Sequence, residues 1–354
     1  VADKDTRAPL LQKITTVPPA DSGTAAQELD ISFCRETCFI ETMDLSGPRL
    51  ILKFDDSLSI LRNVMKIKVG NVLQCVLADL LQKKEMSYTA DFEIMSMPVN
   101  GEVVTLNCLL KAVADMKKPA VTARIFSLSI GSLKPIVLAL THVNSPTTDP
   151  SVKLKIDNRI VLQNSYHLLP GERPTMLLRQ IAIEHGAAVF FSRGVLNFLS
   201  LDEINKRIPD NRVFRFKNPL AAYQIIDYTH INRENLVADR IVRKYSGFNI
   251  LKGFIYSTKN DKAASEVTAY DKIEILDNLS LMAVPVLDIM TGGAGHLMPG
   301  ISLKFQWSLD DSYSDSFLDE SLPTQAIVGS VAHYSAGASN YFCRVKLVQI
   351  MGDK

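Results

Sequence analysis

The sequence predicts a mainly β protein with an α+β insert: two similar antiparallel β-barrels of a tube type, and a smaller α+β domain between them. Three observations carry that prediction. The stretch 297–348 follows a strand, loop, strand, turn, strand pattern. The stretch 66–110 follows the same pattern, at matching offsets from a glycine. Between the two copies lies an amphipathic helix followed by a hairpin.

In the later copy, Ile301, Leu303, Phe305 and Trp307 follow the turn Met298-Pro299-Gly300 and alternate with Ser302, Lys304 and Gln306. That period of two marks a half-buried strand, so Trp307 is expected in the core, in register with Phe305, Leu303 and Ile301. A polar loop (310–323), an apolar run (326–331) and a Gly/Ser/Asn turn (335–340) precede a last strand of Tyr341, Cys343, Val345 and Leu347. In the earlier copy, Leu73, Cys75 and Leu77 stand three, five and seven residues after Gly70, as Leu303, Phe305 and Trp307 do after Gly300. A polar loop (82–89), a strand (92–97), a tight turn (98–101) and the alternation Val104, Leu106, Cys108, Leu110 complete it. The repeat is one of pattern, not of sequence, and any two β-meanders share part of it. The longer correspondence argues for duplication: two strands, then three strands, occurring twice.

Taken in order, residues 1–28 are rich in Pro, Thr, Ala and charge and predict a flexible N-terminal arm. Residues 29–115 form the first barrel, with strands at 29–43 and 49–54 joined by a hairpin-like connection, and a short helical turn at 58–65. Residues 116–217 hold linker helices and the α+β domain. Gly131 and Pro135 divide the helical content of 123–140 into a kinked helix or two short ones. In the helix 174–185, Leu177, Leu178, Ile181, Ala182 and His185 share one side. Pro174 suits its first turn and Gly186 its C′ position, and the hairpin 188–199 follows around Ser192-Arg193-Gly194. Residues 218–250 and 282–354 form the second barrel. Within it, strands 222–231 and 236–245 are the expected counterpart of 29–54, the polar stretch 251–281 is an insertion, and 281–297 is a Gly-broken connector.

At 354 residues the chain exceeds one average core, and its net charge of +1 gives no push toward nucleic acid, membrane or acidic partners. Its five cysteines are scattered and odd in number, and Cys34 and Cys38 lack a zinc-knuckle spacing, so buried free thiols are expected. No apolar run reaches the roughly 18–20 residues that span a bilayer. The opening Val-Ala-Asp-Lys-Asp-Thr-Arg lacks the apolar core of a signal peptide. The expectation is a chain folded in cytoplasm without membrane insertion.

The search for chemistry assigns no catalytic, cofactor-binding or metal-binding residue. His142, His167, His185, His230, His296 and His333 include no His-x-x-x-His pair, and His185 is expected to pack or to meet the helix dipole. Gly292-Gly293-Ala294-Gly295 lacks the Lys-Ser/Thr ending of a phosphate loop and suggests a flexible connector. No Gly-x-Ser-x-Gly elbow occurs. Asp310, Asp311, Asp315, Asp319 and Glu320 could supply a glycosidase pair or a weak calcium site, but a Ser-rich loop between strands is by default a solvated acidic loop. Lys and Arg form no aromatic-interleaved stripe for nucleic acid.

The α+β segment resembles a motif of contractile-tail hub proteins: phage baseplate hubs, late-control D proteins and the spike-base proteins of type VI secretion. Their acid-led helix, "E-S-x-x-x-F-L-x-R-L-A-x-E-x-G", is matched by Glu172, Leu177-Leu178, Ile181-Ala182, Glu184 and Gly186, with Arg173 in place of the serine. Lys68-Val69-Gly70, Met298-Pro299-Gly300 and the run from Ile327 to His333, similar to a Val-x-x-Val-x-His strand, extend the resemblance over most of 29–350. It implies a non-enzymatic structural hub, standing alone without a lysozyme domain or fused spike. It implies a homotrimer whose paired barrels make a pseudo-sixfold ring joining a hexameric tail tube to a trimeric central spike. Implied partners are the tube or its initiator, the spike and other baseplate proteins, with the genome passing through the channel unrecognised. The implied location is the tail baseplate of a virion assembled in the host bacterial cytoplasm. Two other classes compete: a cell-wall glycan hydrolase using the acidic loop, and a β-rich carbohydrate- or protein-binding module. Duplication favours the hub, because two copies per chain in a trimer resolve a symmetry mismatch.

Overall fold

The computed structural model describes residues 10–18, 25–78, 87–144, 152–157, 159, 160, 162, 164–218, 220–231, 243–308, 318–337 and 340–351. The first barrel comprises β1 (Leu11–Val17), β2 (Glu28–Leu29), β3 (Cys34–Thr42), β4 (Arg49–Asp55), β5 (Val72–Ala78), β6 (Ser87–Ser96), β7 (Val99–Asn100) and β8 (Val103–Leu110). Its strands run in the order β1-β5-β6-β8-β4-β3, each pair antiparallel. The alternation places Leu73, Cys75, Leu77, Phe92, Ile94, Val104, Leu106 and Cys108 inside. The helical turn expected at 58–65 is a single π-helical turn, Ile60–Val64.

β1 corrects the expected arm. It lies within 1–28, yet it pairs with β5 from Leu11 to Val17, and Leu10, Leu11 and Ile14 are fully buried. Few apolar residues suffice here because β5 supplies the backbone partners and the barrel interior takes the side chains of one face. Residues 1–9 and 19–24 lie outside the described residues.

Next come α1 (Lys111–Lys117), β9 (Arg124–Phe126), α2 (Leu133–Thr141), β10 (Lys153–Ile156), β11 (Tyr166–Leu168), α3 (Pro174–Glu184), β12 (Ala187–Ser192), β13 (Val195–Ser200) and α4 (Leu201–Asn205). As its periodicity predicts, α3 buries Leu177, Leu178, Ile181 and Ala182. The β12–β13 hairpin gains β10 as a third strand, parallel to β13.

The last third carries β14 (Val213–Phe216), β15 (Gln224–His230), β16 (Arg243–Asn249), β17 (Gly253–Tyr256), β18 (Ala264–Val267), α5 (Ile273–Leu279), β19 (Met282–Gly292), β20 (Ser302–Trp307), β21 (Gln325–Ala336) and β22 (Asn340–Met351). The second barrel is a closed ring of β14, β20, β21, β22, β19 and β15, with β15 returning to β14. Three expectations are corrected. β14 belongs to this barrel and not to the linker 116–217, because it pairs with β20. β16, within the expected strand pair, leaves β15 and forms a separate sheet with β17 and β18, on which α5 packs Ile275 and Leu276. The stretch read as a connector is mostly β19, an eleven-residue strand lying between β15 and β22. Pro285 sits at a bulge of that strand, where a missing N–H is tolerated, and Gly292 is only its last residue.

With these corrections the duplication becomes geometric. Position by position, β1, β5, β6, β8, β4 and β3 correspond to β14, β20, β21, β22, β19 and β15. Gly70 N–H donates to the Ile94 carbonyl and Ile94 N–H to that of Asn71, at 2.8 and 2.9 Å; Gly300, Val328 and Ile301 repeat this at 2.8 and 2.9 Å. Both glycines adopt positive φ, 88° and 79°, and both partner strands bulge at the next residue, Met95 and Gly329. The copies differ in that β1 is antiparallel to β5, whereas β14 is parallel to β20.

The barrels share one sheet. Instead of pairing with β1, β3 pairs with β21, Glu36–Thr42 against Ser330–Ala336. β22 occupies one edge of β21; β20 and then β3 occupy the other. One twelve-residue strand therefore serves both barrels.

Candidate functional site

The point where the three units meet is built from a turn. Arg193 and Gly194 form the two-residue loop of the β12–β13 hairpin, both at positive φ (48° and 76°), the geometry that matches the twist of the flanking strands. This aims Arg193 away from its own sheet and at Glu41 on β3. The Arg193 backbone N–H donates to one Glu41 oxygen at 2.9 Å and its Nε to the other at 2.8 Å. Its Nη2 donates to the carbonyls of Gly295 and Leu297 at 3.1 and 3.0 Å. Glu41 is wholly buried. Burial holds its carboxyl above the ordinary carboxylate range, and the charge and hydrogen bonds of Arg193 offset only part of that. The run 292–295 is therefore no slack connector: Gly295 accepts from Arg193, and a side chain on Gly293 would collide with the Tyr341 ring.

His333 on β21 lies opposite Phe39 of β3 and Cys343 of β22, so one row of side chains crosses from barrel to barrel. Its Nε2 is 3.0 Å from the Leu297 carbonyl, which fixes the proton there. Nδ1 is then the acceptor for the Tyr341 hydroxyl at 2.9 Å, with the Cys343 sulfur 3.3 Å away and its thiol donating to the Ala294 carbonyl at 3.8 Å. Arg193 Nη2 and His333 Nε2 lie 3.3 Å apart because both donate to Leu297. Burial, and then the charge of Arg193, hold His333 well below the ordinary imidazole range, so it is neutral. The Phe39 ring stacks on His333 at 6.2 Å and carries Arg193 over its face at 5.7 Å. A Cys–His pair can be a nucleophile, but both side chains here are fully buried. Their arrangement locks strands together. Other thiols are also inert: burial pushes Cys34 up to about 11 and Cys108 to about 12.

A second polar anchor uses the helix motif. Glu184, buried at the end of α3, accepts from the Tyr166 hydroxyl at 2.8 Å and from Gln180 at 2.9 Å, while its own carbonyl accepts from Asn278 of α5 at 2.9 Å. That contact ties the 251–281 insertion to the α+β domain. His185 donates from Nδ1 to the Ile181 carbonyl at 2.8 Å, closing the helix end.

Of the acidic loop, Asp310, Asp311 and Asp315 lie outside the described residues. Asp319 accepts from the Ser321 N–H and hydroxyl, which hold its carboxyl below the ordinary range, and Glu320 is exposed. Among the described residues no group of three or more His, Cys, Asp or Glu is placed to hold a metal. No helix among them is long and apolar enough to cross a membrane.

No protein-family model and no curated protein matches the sequence. Solved structures do match. A tail protein from Neisseria meningitidis superposes with a TM-score of 0.59 at 11% identity, over 95% of this chain and 96% of its own. A 43 kDa tail protein of a Shewanella oneidensis prophage gives 0.60 at 10% identity, over 96% and 98%. An Escherichia coli component of the type VI secretion system, described as similar to the bacteriophage T4 tail proteins gp27 and gp5, gives 0.53 at 10%, over 95% and 76%. The chain shares the fold of these tail and type VI secretion proteins. Within this tail-protein fold, the Glu41–Arg193–His333 junction sets how the paired barrels and the α+β domain stand to one another.

Proposed function

We propose that the chain is a structural hub of a contractile-tail baseplate. Three copies would close a ring of six related barrels that joins a hexameric tail tube to a trimeric central spike. The observation that carries this reading is the pair of equivalent barrels fused through β21, which gives each chain two similar units at a fixed spacing. The likeness to tail proteins over nearly the whole chain supports it. The first barrel of one chain meeting the second barrel of the next is a heterologous contact, which would close at threefold symmetry and alternate barrel types around the axis. Chain-level symmetry then suits a trimeric partner, and the six barrels suit a hexameric one. The role needs no catalysis. Its partners are the tube or tube initiator, the spike and other baseplate proteins, and its place is the virion tail, assembled in the bacterial cytoplasm.

Native mass measurement with projection electron images tests the ring: three subunits and six similar densities are expected. A stable monomer at assembly concentration, or a twofold dimer, overturns it. Incubation with peptidoglycan should release no fragments; turnover abolished by Asp319→Asn would move the protein to the hydrolases.

A further inference from the structure

Beside the junction, Lys155 of β10, Arg193 and Asn197 of the hairpin, Arg207 beyond α4 and His296 line a cavity of about 440 Å³. No Asp or Glu lines it. Glu41 compensates Arg193, but among the described residues Lys155 and Arg207 have no carboxylate partner. Arg207 donates from Nη1 to the Gly300 carbonyl at 3.1 Å, and its Nη2 is buried with no acceptor. A buried donor left unpaired costs about 1–3 kcal/mol, so an acceptor brought within reach of the Arg207 guanidinium would be favoured. Val195, Met298, Pro299 and Ile301 add an apolar wall to the same cavity.

We propose that this cavity binds a phosphate monoester, its dianion held by Arg207 and Lys155 and its organic substituent lying against the apolar wall. Two uncompensated cations match a dianion better than a single carboxylate. The planar guanidinium fork fits phosphate oxygens, and the ammonium adds a point charge. The volume exceeds what a bare phosphate fills, which leaves room for the ester group. The site does not depend on the hub role.

Phenyl phosphate is the probe, titrated calorimetrically into the full-length protein at ionic strength fixed with chloride. Saturable one-to-one binding is expected, tighter than that of inorganic phosphate. Benzoate, with the same ring and one charge, should bind about tenfold more weakly or worse. Arg207→Gln should weaken phenyl phosphate by about tenfold or more, and Lys155→Gln, at an exposed position, by several-fold. Lys155→Gln alone decides if Arg207→Gln fails to fold. The proposal is overturned by absence of saturable binding, by benzoate binding as tightly, or by affinity unchanged in the variants.

Discussion

At the scale of single residues, the junction rests on one buried ion pair and one neutral imidazole. Removing Arg193 leaves Glu41 wholly buried without its counter-charge, and removing Glu41 leaves the partly buried Arg193 with only carbonyl acceptors. Glu41→Gln or Arg193→Ala should therefore cost roughly 3–5 kcal/mol in denaturant unfolding. A double replacement with apolar residues should cost less than the sum, and strict additivity in that cycle would deny the coupling. His333 sets a pH dependence. Its folded value is depressed, so below about pH 6.5 the unfolded chain takes up a proton that the folded chain refuses. Stability should thus decline as pH falls from about 6.5, a window above that of ordinary carboxylates. In His333→Gln the slope of stability against pH between about 6.5 and 5 should shrink, and an unchanged slope would place the titration elsewhere.

Single elements carry the duplicated design, and the two equivalent glycines make a matched test. A Cβ at Gly70 meets nothing within 4 Å, whereas one at Gly300 lies 2.9 Å from Phe190 Cζ. Gly70→Ala should cost about 1–2 kcal/mol from its backbone conformation alone, and Gly300→Ala more, because Phe190 must move. Equal losses would mean that the Phe190 ring yields freely. Trp307 is 2% exposed, packs on Phe305, Tyr228 and Phe216, and donates to the Pro323 carbonyl at 2.8 Å. Trp307→Ala should cost roughly 3–5 kcal/mol, and the native fluorescence should resist iodide quenching. Deleting residues 1–18 should destabilise the first barrel by exposing β5. A truncated chain with unchanged melting would return β1 to the status of a loose arm.

For the whole molecule, β21 makes the barrels one object. A strand hydrogen-bonded into both cannot leave one without exposing the other, so the barrels should unfold in a single cooperative transition by calorimetry. Two well-separated transitions would show that the β3–β21 pairing adds little. The same rigidity would suit the proposed ring, in which barrel spacing within a chain has to equal barrel spacing between chains.

What the sequence determined by itself was local. Period-two alternation gave β5, β20 and the inward side chains of Leu303, Phe305 and Trp307, and the 3.6 period with Pro174 and Gly186 gave α3 with its caps. These patterns are legible because each depends on neighbours a few residues away. Partner choice was not legible. Nothing local to 243–249 or 282–292 names the neighbour of β15, and only assembly of the ring selects β19, which also reaches β22. β1 was hidden because its strand character depends on β5, about sixty residues on. The junction left almost no signal: Glu41, Arg193 and His333 are separated by 152 and 140 residues and look like ordinary polar positions. The traces were the hairpin turn at Arg193-Gly194 and His333 at the end of the strand that resembles Val-x-x-Val-x-His. Tertiary structure decided the rest, because a charge can be buried only where distant strands bring its counter-charge and hydrogen-bond partners to the same place.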